Sequence, residues 1–209
     1  MCVREIARAV CEGDDDIIVV RCQEALQRGV EPSYIMKEVL TAGMMEAGKL
    51  FDDGEYFLPE MLISSMTLQK GLDFLMKDMQ EEKSFWKGRI VIGTVEGDMH
   101  DIGKNLVVAM LRVAGFEVID LGIDVSAKKF MEAIRTYKPD IVALSALLST
   151  TMMNMQTIIQ QISENGLRNE VKIMIGGAVV NQRFAEQIGA DGYSENASQA
   201  VILAEKLMG

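Results

Sequence analysis

Apolar positions along this chain change rhythm once, near residue 80. Before that point they recur at helical spacing with almost no strand-like alternation. Asp14-Asp15-Asp16 ahead of Ile17-Ile18-Val19-Val20 predicts a capped helix start, with Gly29 as its stop. Pro32 stands at a first helical position, and the helix it opens is expected to run to about Phe51. Asp52-Asp53-Gly54-Glu55 predicts a turn, and Pro59 opens a fourth helix reaching about Gln80. Four helices with short connections make a bundle.

Glu81-Glu82-Lys83-Ser84 is a polar break, which places a linker near residues 80–88. Beyond it, short apolar runs alternate with amphipathic stretches. Strands are expected near 89–94, 116–121, 140–145, 171–176 and 191–193, and helices near 103–114, 126–137, 151–165, 181–188 and 196–207. Such repetition predicts a parallel sheet covered on both faces through right-handed crossovers. The expected fold is therefore α/β: a four-helix bundle over 1–84, then a doubly wound five-stranded domain over 89–209. A flavodoxin-like, Rossmann-like strand order is the natural arrangement for five units.

Composition narrows the function. The 209 residues suffice for two cores, and 49% of them are apolar. No apolar run is long enough to span a bilayer and Met-Cys-Val-Arg-Glu is no secretory leader, so no membrane partner and a cytoplasmic location are expected. A net charge of −10, from 21 basic and 31 acidic residues, argues against nucleic acid as a partner. Cys2, Cys11 and Cys22 show no metal-site spacing and read as small buried hydrophobes rather than a disulfide framework. Sixteen methionines, with clusters at Met36, Met44, Met45, Met61, Met66, Met76 and Met79 and at Met152, Met153 and Met155, suit adaptable core filling. A soft surface touching a large ligand or several partners is the other reading.

The candidate chemistry centres on the only histidine. Gly97-Asp98-Met99-His100-Asp101-Ile102-Gly103-Lys104-Asn105 lies between the first expected strand and the helix after it. Loops at the carboxyl ends of parallel strands are where open α/β sheets bind ligands. A neutral imidazole is a good ligand for borderline transition metals. One histidine cannot complete a metal site, so a metal at His100 would arrive inside a cofactor that brings the other ligands. Asp98 is placed to hold the ring by a hydrogen bond, which fixes its tautomer and raises its basicity. Asp98 and Asp101 also suit helix N-caps, and Gly97 and Gly103 would let backbone approach a bulky ligand. The third strand ends in Ser145-Ala146-Leu147-Leu148-Ser149-Thr150-Thr151, whose hydroxyls serve either a ligand or a helix cap. The fourth ends in Gly176-Gly177-Ala178, where two missing side chains would leave a slot for a slim ligand.

Residues 89–209 resemble the cobalamin-binding domain of methionine synthase and of corrinoid methyl-carrier proteins. The family pattern DxHxxG, then SxL, then GG reads here as Asp98-Met99-His100-Asp101-Ile102-Gly103, Ser145-Ala146-Leu147 and Gly176-Gly177. Forty-one residues separate the first two elements and twenty-eight the last two. Gly43 to Phe51, with Tyr56-Phe57-Leu58-Pro59-Glu60, is similar to the helical cap that precedes this domain.

The resemblance implies a cobalamin cofactor, as methylcobalamin or another corrinoid. It would be bound base-off and His-on, with His100 as the lower cobalt ligand and Asp98 bonded to it. Thr151 would complete a proton relay with them. Ser145 would meet the displaced base, Leu147 would line its tunnel, and Gly176 and Gly177 would give the nucleotide tail room. Gly97, Met99, Asp101, Ile102, Gly103, Ser149, Thr150 and Ala197 would border the cofactor, and Phe51 and Leu58 would shield its upper methyl group. The function implied is methyl carriage from a substrate-specific methyltransferase of methylamine, quaternary-amine, betaine or methanol type. The acceptor would be a tetrahydrofolate-type or thiol methyltransferase, and a reductive activator would restore the cofactor. The competing class is an adenosylcobalamin-binding regulatory or sensor module. A cobalamin subunit of a carbon-skeleton mutase fits the cap segment poorly, and a receiver-like or flavin-binding domain does not explain the three-part motif.

Overall fold

The computed structural model describes residues 2–76 and 86–209, without the side chains of Cys2, Asp52, Leu58 and Val113. The chain divides into two compact units. Residues 80–85 of the expected linker and the end of the fourth helix lie outside the described residues.

The first unit is helical. α1 (Cys2–Glu12) buries Ile6, Ala9 and Val10, and α2 (Ile18–Gln27) buries Ile18, Cys22 and Ala25, each set spaced to fall on one helical face. The acidic cluster before α2 works from Asp14, whose Oδ1 accepts the Ile17 amide at 3.4 Å. Gly29 ends that helix in the left-handed region, at φ +79°. Pro32 takes the first position of α3 (Pro32–Tyr34). This helix continues through a π-helical turn, Ile35–Leu40, into α4 (Thr41–Asp52). The π turn is a departure from the expected plain helix; six residues are too few for apolar spacing to reveal the wider bonding. α5 (Leu58–Met76) starts one residue before Pro59, and Glu60 reaches back to accept the Phe57 amide at 2.9 Å. That is the reciprocal half of a capping box. α1 packs on α2, α4 and α5. Gly43 is required where α1 and α4 cross, because a Cβ there would sit against the Ala7 carbonyl.

The second unit alternates strand and helix: β1 (Arg89–Thr94), α6 (Ile102–Val113), β2 (Glu117–Asp120), α7 (Ala127–Tyr137), β3 (Ile141–Ser145). It continues with α8 (Met153–Glu164), β4 (Lys172–Gly176), α9 (Gln182–Ile188), β5 (Gly192–Ser194) and α10 (Ala197–Met208). All strands are parallel in the order β2-β1-β3-β4-β5, the flavodoxin-like order expected. Alternation along the strands divides the core. Val91, Val142, Leu144, Ile173 and Ile175 join Phe130, Ile134, Ile158, Ile162 and Phe184 in one cluster. Ile90, Ile92, Ile141, Ala143 and Met174 are the buried residues between them, and so point to the opposite face. Two register rows on that face matter for the site. One runs Ile92, Ala143, Met174, Gly192, and the row at the carboxyl edge runs Thr94, Ser145, Gly176, Ser194. Small residues in both rows leave space that larger ones would fill.

Candidate functional site

The loop after β1 carries His100, and a buried carboxylate organises it. Asp98 is fully buried, whereas the His100 side chain is 50% exposed. Asp98 Oδ1 lies 2.7 Å from His100 Nδ1 and also accepts the His100 backbone amide at 3.1 Å. Its Oδ2 accepts the amides of Leu147 and Leu148, at 2.8 and 3.2 Å, and the Thr151 hydroxyl at 2.7 Å. One carboxylate thereby ties the β1 loop to the β3 loop. Burial alone would raise the Asp98 pKa, but the hydrogen bonds from Thr151, the Leu147 amide and His100 outweigh it and hold the group below its ordinary value. An ionised Asp98 only accepts, so the imidazole proton belongs on Nδ1 and the Nε2 lone pair is left for a ligand.

Backbone and side chains around the loop hold it from the other side. Thr94 Oγ1, fully buried, donates to the His100 carbonyl at 2.9 Å. Asp124, after β2, accepts the Gly97 amide at 2.7 Å on Oδ1, and its own amide donates to the Asp98 carbonyl at 3.1 Å. Asn154 donates to the Glu96 carbonyl at 2.7 Å.

Beside His100 a cavity of about 570 Å³ runs between the sheet and the residues of α6 and α10 that border it. Ile92, Ala143, Met174, Ser145, Gly176 and Ser194 line it from the two register rows. Met99, His100, Asp101, Ile102, Gly103, Leu147, Gly177 and Ala197 border it. A side chain at Gly103 would meet nothing within 4 Å. Met99, Ile102 and Leu147, which border the cavity with His100, stay exposed, as do Leu148 and Met153 after β3. A cluster of uncovered apolar side chains beside a polar centre marks a binding surface.

The expected residues do not all converge. Ser149, Thr150, Gly97 and Asp98 do not line the cavity; of the hydroxyls after β3, Thr151 alone reaches Asp98. Asp101 precedes α6, yet its Oδ2 accepts from the Asn105 side chain at 3.1 Å rather than from a capping amide. Gly177 leaves no slot of its own. With φ +129° it lies against the Ala146 carbonyl, where a Cβ would collide. Its missing side chain serves the approach of the two loops, and the cavity opens beyond them. Phe51, in the helical unit, is 38% exposed, and the Leu58 side chain lies outside the described residues.

Sequence reading missed Thr94, Asp124 and Lys104. The Lys104 side chain is 1% exposed, its ammonium paired with Asp120 at 2.5 Å and donating to Asn105 Oδ1 at 2.7 Å, and the residue borders the cavity. An aspartate and a threonine at strand carboxyl ends were a usable signal for the other two. Nothing local linked Lys104 to Asp120.

Among the described residues no group of three or more His, Cys, Asp or Glu could hold a metal ion. A metal at His100 Nε2 would therefore need its remaining ligands from an organic cofactor. The half-exposed ring, the apolar surround and the adjoining cavity fit such a flat group with an extended tail. No helix of the described residues is long and apolar enough to cross a membrane.

Comparison with known proteins agrees with this chemistry. A family model described as B12 binding domain matches residues 88–202, and a second model of the same description matches 3–76. Trimethylamine corrinoid protein 2 of Methanosarcina mazei is 42% identical over 201 residues, covering 95% of this chain and 92% of its own length. Dimethylamine corrinoid protein 1 of Methanosarcina acetivorans is 43% identical over 207 residues, covering 99% and 97%. The crystal structure of the methanol:cobalamin methyltransferase complex MtaBC from Methanosarcina barkeri contains a chain that superposes with a TM-score of 0.89. That chain is 34% identical, and the match covers 99% of this chain and 79% of that one.

Proposed function

This chain belongs to the B12-binding domain family, and from that premise we propose that it is a corrinoid protein carrying a methyl group between two methyltransferases. The donor partner is a substrate-specific methyltransferase, and the relatives named for trimethylamine and dimethylamine favour a methylated amine as its substrate. The acceptor partner is a tetrahydrofolate-type or thiol methyltransferase. A reductive activator is the third partner, and the cytoplasm is the place of action.

A bound corrinoid supplies the cobalt centre on which the methyl group travels. The chain's part is to bind, orient and exclude water. His100 would hold the cobalt through Nε2, the His-on, base-off arrangement, with its Nδ1 proton bonded to Asp98, which Thr151 and two amides keep ionised. The cavity lined by the strand rows and Ala197 would take the nucleotide tail, with Ser145, Leu147, Gly176 and Gly177 among the residues that would hold it. Gly97, Met99, Asp101, Ser149 and Thr150 on the loops, with Ile102 and Gly103 at the start of α6, would border the ring. On this reading residues 89–209 form the binding domain and residues 1–84 a cap in which Phe51 and Leu58 keep water from the methyl group.

The observation that carries the proposal is the single histidine whose Nδ1 is committed to a buried, ionised carboxylate beside a cavity of about 570 Å³. The test is the visible absorption spectrum of protein reconstituted with methylcobalamin, beside the His100→Ala variant. A base-off, histidine-ligated spectrum in the parent that the variant loses is the expected result. A parent that binds no corrinoid, or a variant with an unchanged spectrum, would overturn it.

A further inference from the structure

Asp124 stands out on two independent grounds. It is one of two residues other than glycine with positive φ among the described residues, at +51°. It also brackets the histidine loop with two hydrogen bonds: Oδ1 accepts from the Gly97 amide, and its amide donates to the Asp98 carbonyl. A left-handed backbone is sparsely populated outside glycine and persists where its surroundings hold it. Here the next residue holds it, because Val125 bridges to Val95 and donates its amide to the Thr94 carbonyl. The β2 loop is thus fastened along the end of β1 and delivers the Asp124 carboxylate to the backbone just ahead of Asp98.

The geometry points to Asp124 as a positioning residue for the lower ligand. It acts through the Gly97 amide and the Asp98 carbonyl on His100, and neither of these hydrogen bonds is to the imidazole. Asp98 has to present Oδ1 to the ring while Oδ2 meets two amides and a hydroxyl from the β3 loop. Those partners set where the carboxylate ends. The Asp124 clamp sets where its backbone begins. With both ends fixed, the ring is held in one orientation before any cofactor arrives, so little ordering remains to be done on binding.

Because the chain has one histidine, the cofactor-free protein offers a direct readout. A long-range proton–nitrogen correlation spectrum in alkaline buffer shows a single imidazole and reports which nitrogen carries the proton. Three variants separate the causes. Asp124→Asn keeps an acceptor oxygen and tolerates left-handed backbone. Asp124→Gly relieves the strain and removes the acceptor, while Asp124→Ala removes the acceptor and keeps the strain. The expected result is one Nδ1-protonated tautomer in the parent and in Asp124→Asn, and mixed or exchange-broadened signals in Asp124→Gly. The unfolding midpoint of Asp124→Gly should stand at or above that of Asp124→Ala, which separates loss of the acceptor from loss of fold. A parent-like spectrum in Asp124→Gly overturns the inference, as does a loss in Asp124→Asn equal to that in Asp124→Gly.

A second arm rests on the proposed function. Titration with methylcobalamin should weaken at least about 10-fold in Asp124→Gly, the lower end of the usual effect of residues supporting a metal ligand, and rescue in Asp124→Asn is expected. Parent-like affinity in Asp124→Gly counts against the positioning role. A parent that binds no cobalamin defeats the functional reading, while the cofactor-free spectra still decide the role of Asp124.

Discussion

The two units of this chain handle polar groups in opposite ways. Residues 1–85 hold 9 Lys and Arg against 17 Asp and Glu, while residues 86–209 hold 12 against 14, so the helical part carries most of the negative charge. Yet the two fully or nearly buried charged side chains among the described residues, Asp98 and Lys104, both lie in the sheet unit. Burying a charge is costly unless it is paired and hydrogen-bonded. Asp98 has five such contacts and Lys104 has two. Among the described residues the helical unit buries no charged side chain, and both units leave large apolar side chains exposed, Met45, Phe57 and Met66 in one and Met99, Ile102 and Met153 in the other. Buried, hydrogen-bonded charge thus belongs to the sheet unit. A parallel sheet suits it, because its strand ends bring loops far apart in sequence to one place.

That contrast can be tested by substitution on each side. The largest expected effect is on binding. His100→Ala should lower methylcobalamin affinity by about 100-fold or more, the upper range seen even for residues that only support a metal ligand. Its unfolding free energy should fall by about 1–2 kcal/mol, because buried Asp98 Oδ1 loses the ring donor and keeps the His100 backbone amide. Asp98→Ala should affect both properties. Stranding two amides and a hydroxyl should cost about 1–3 kcal/mol in denaturant unfolding, and affinity should fall about 10- to 100-fold. Equal destabilisation by Asp14→Ala, at the head of α2, would break the contrast; less than about 1 kcal/mol is expected for so long a capping bond.

Two glycine substitutions sharpen it further. Gly43→Ala and Gly177→Ala each push a methyl group into a carbonyl, of Ala7 and of Ala146. Each should destabilise by about 1–3 kcal/mol, and only Gly177→Ala should also reduce cobalamin affinity when titrated.

The pH dependence follows from Asp98. Its carboxyl is held below the ordinary value in the folded chain, so the unfolded chain takes up that proton first as pH falls. The stabilisation it provides is complete above the ordinary Asp range, near about 3.9, and drains away toward the depressed native value. The stability gap between the parent and Asp98→Asn, followed by acid titration of the unfolding midpoint, should therefore narrow below about pH 4. A gap that widens with acid would contradict the assignment. The smallest effect is expected at Phe51→Ala, less than about 1 kcal/mol on unfolding, since the ring is already 38% exposed.

Much of this was legible in the chain. Strand and helix positions in the second unit lie within one or two residues of those expected, because buried parallel strands are written as short apolar runs and their covering helices as amphipathic ones. The pairing of Asp98 with His100 was legible as well, since two positions apart in a tight loop is a local relation. Less of the helical unit was readable. The π turn at Ile35–Leu40 leaves no mark on apolar spacing, and the acidic run before α2 did not reveal which aspartate would accept the amide. At the site, the family resemblance pointed to Thr151, whereas the run of leucines and hydroxyls after Ala146 does not by itself set it apart from Ser149 or Thr150; the fold brings its hydroxyl to Asp98.

The order of apolar and polar residues, together with the DxHxxG, SxL and GG elements, was sufficient for the fold class, for the place of the His100 loop after the first strand and for the pairing of that ring with Asp98. These are local properties: periodicity, turn chemistry and the spacing of two side chains in one loop. The depressed pKa of Asp98, the clamp from Asp124, the Lys104 pair with Asp120 and the occupation of the Gly177 space by a carbonyl each depend on groups separated by 16 or more residues. Such contacts exist only once the strands are in register, because register alone decides which loop ends meet at the sheet's edge.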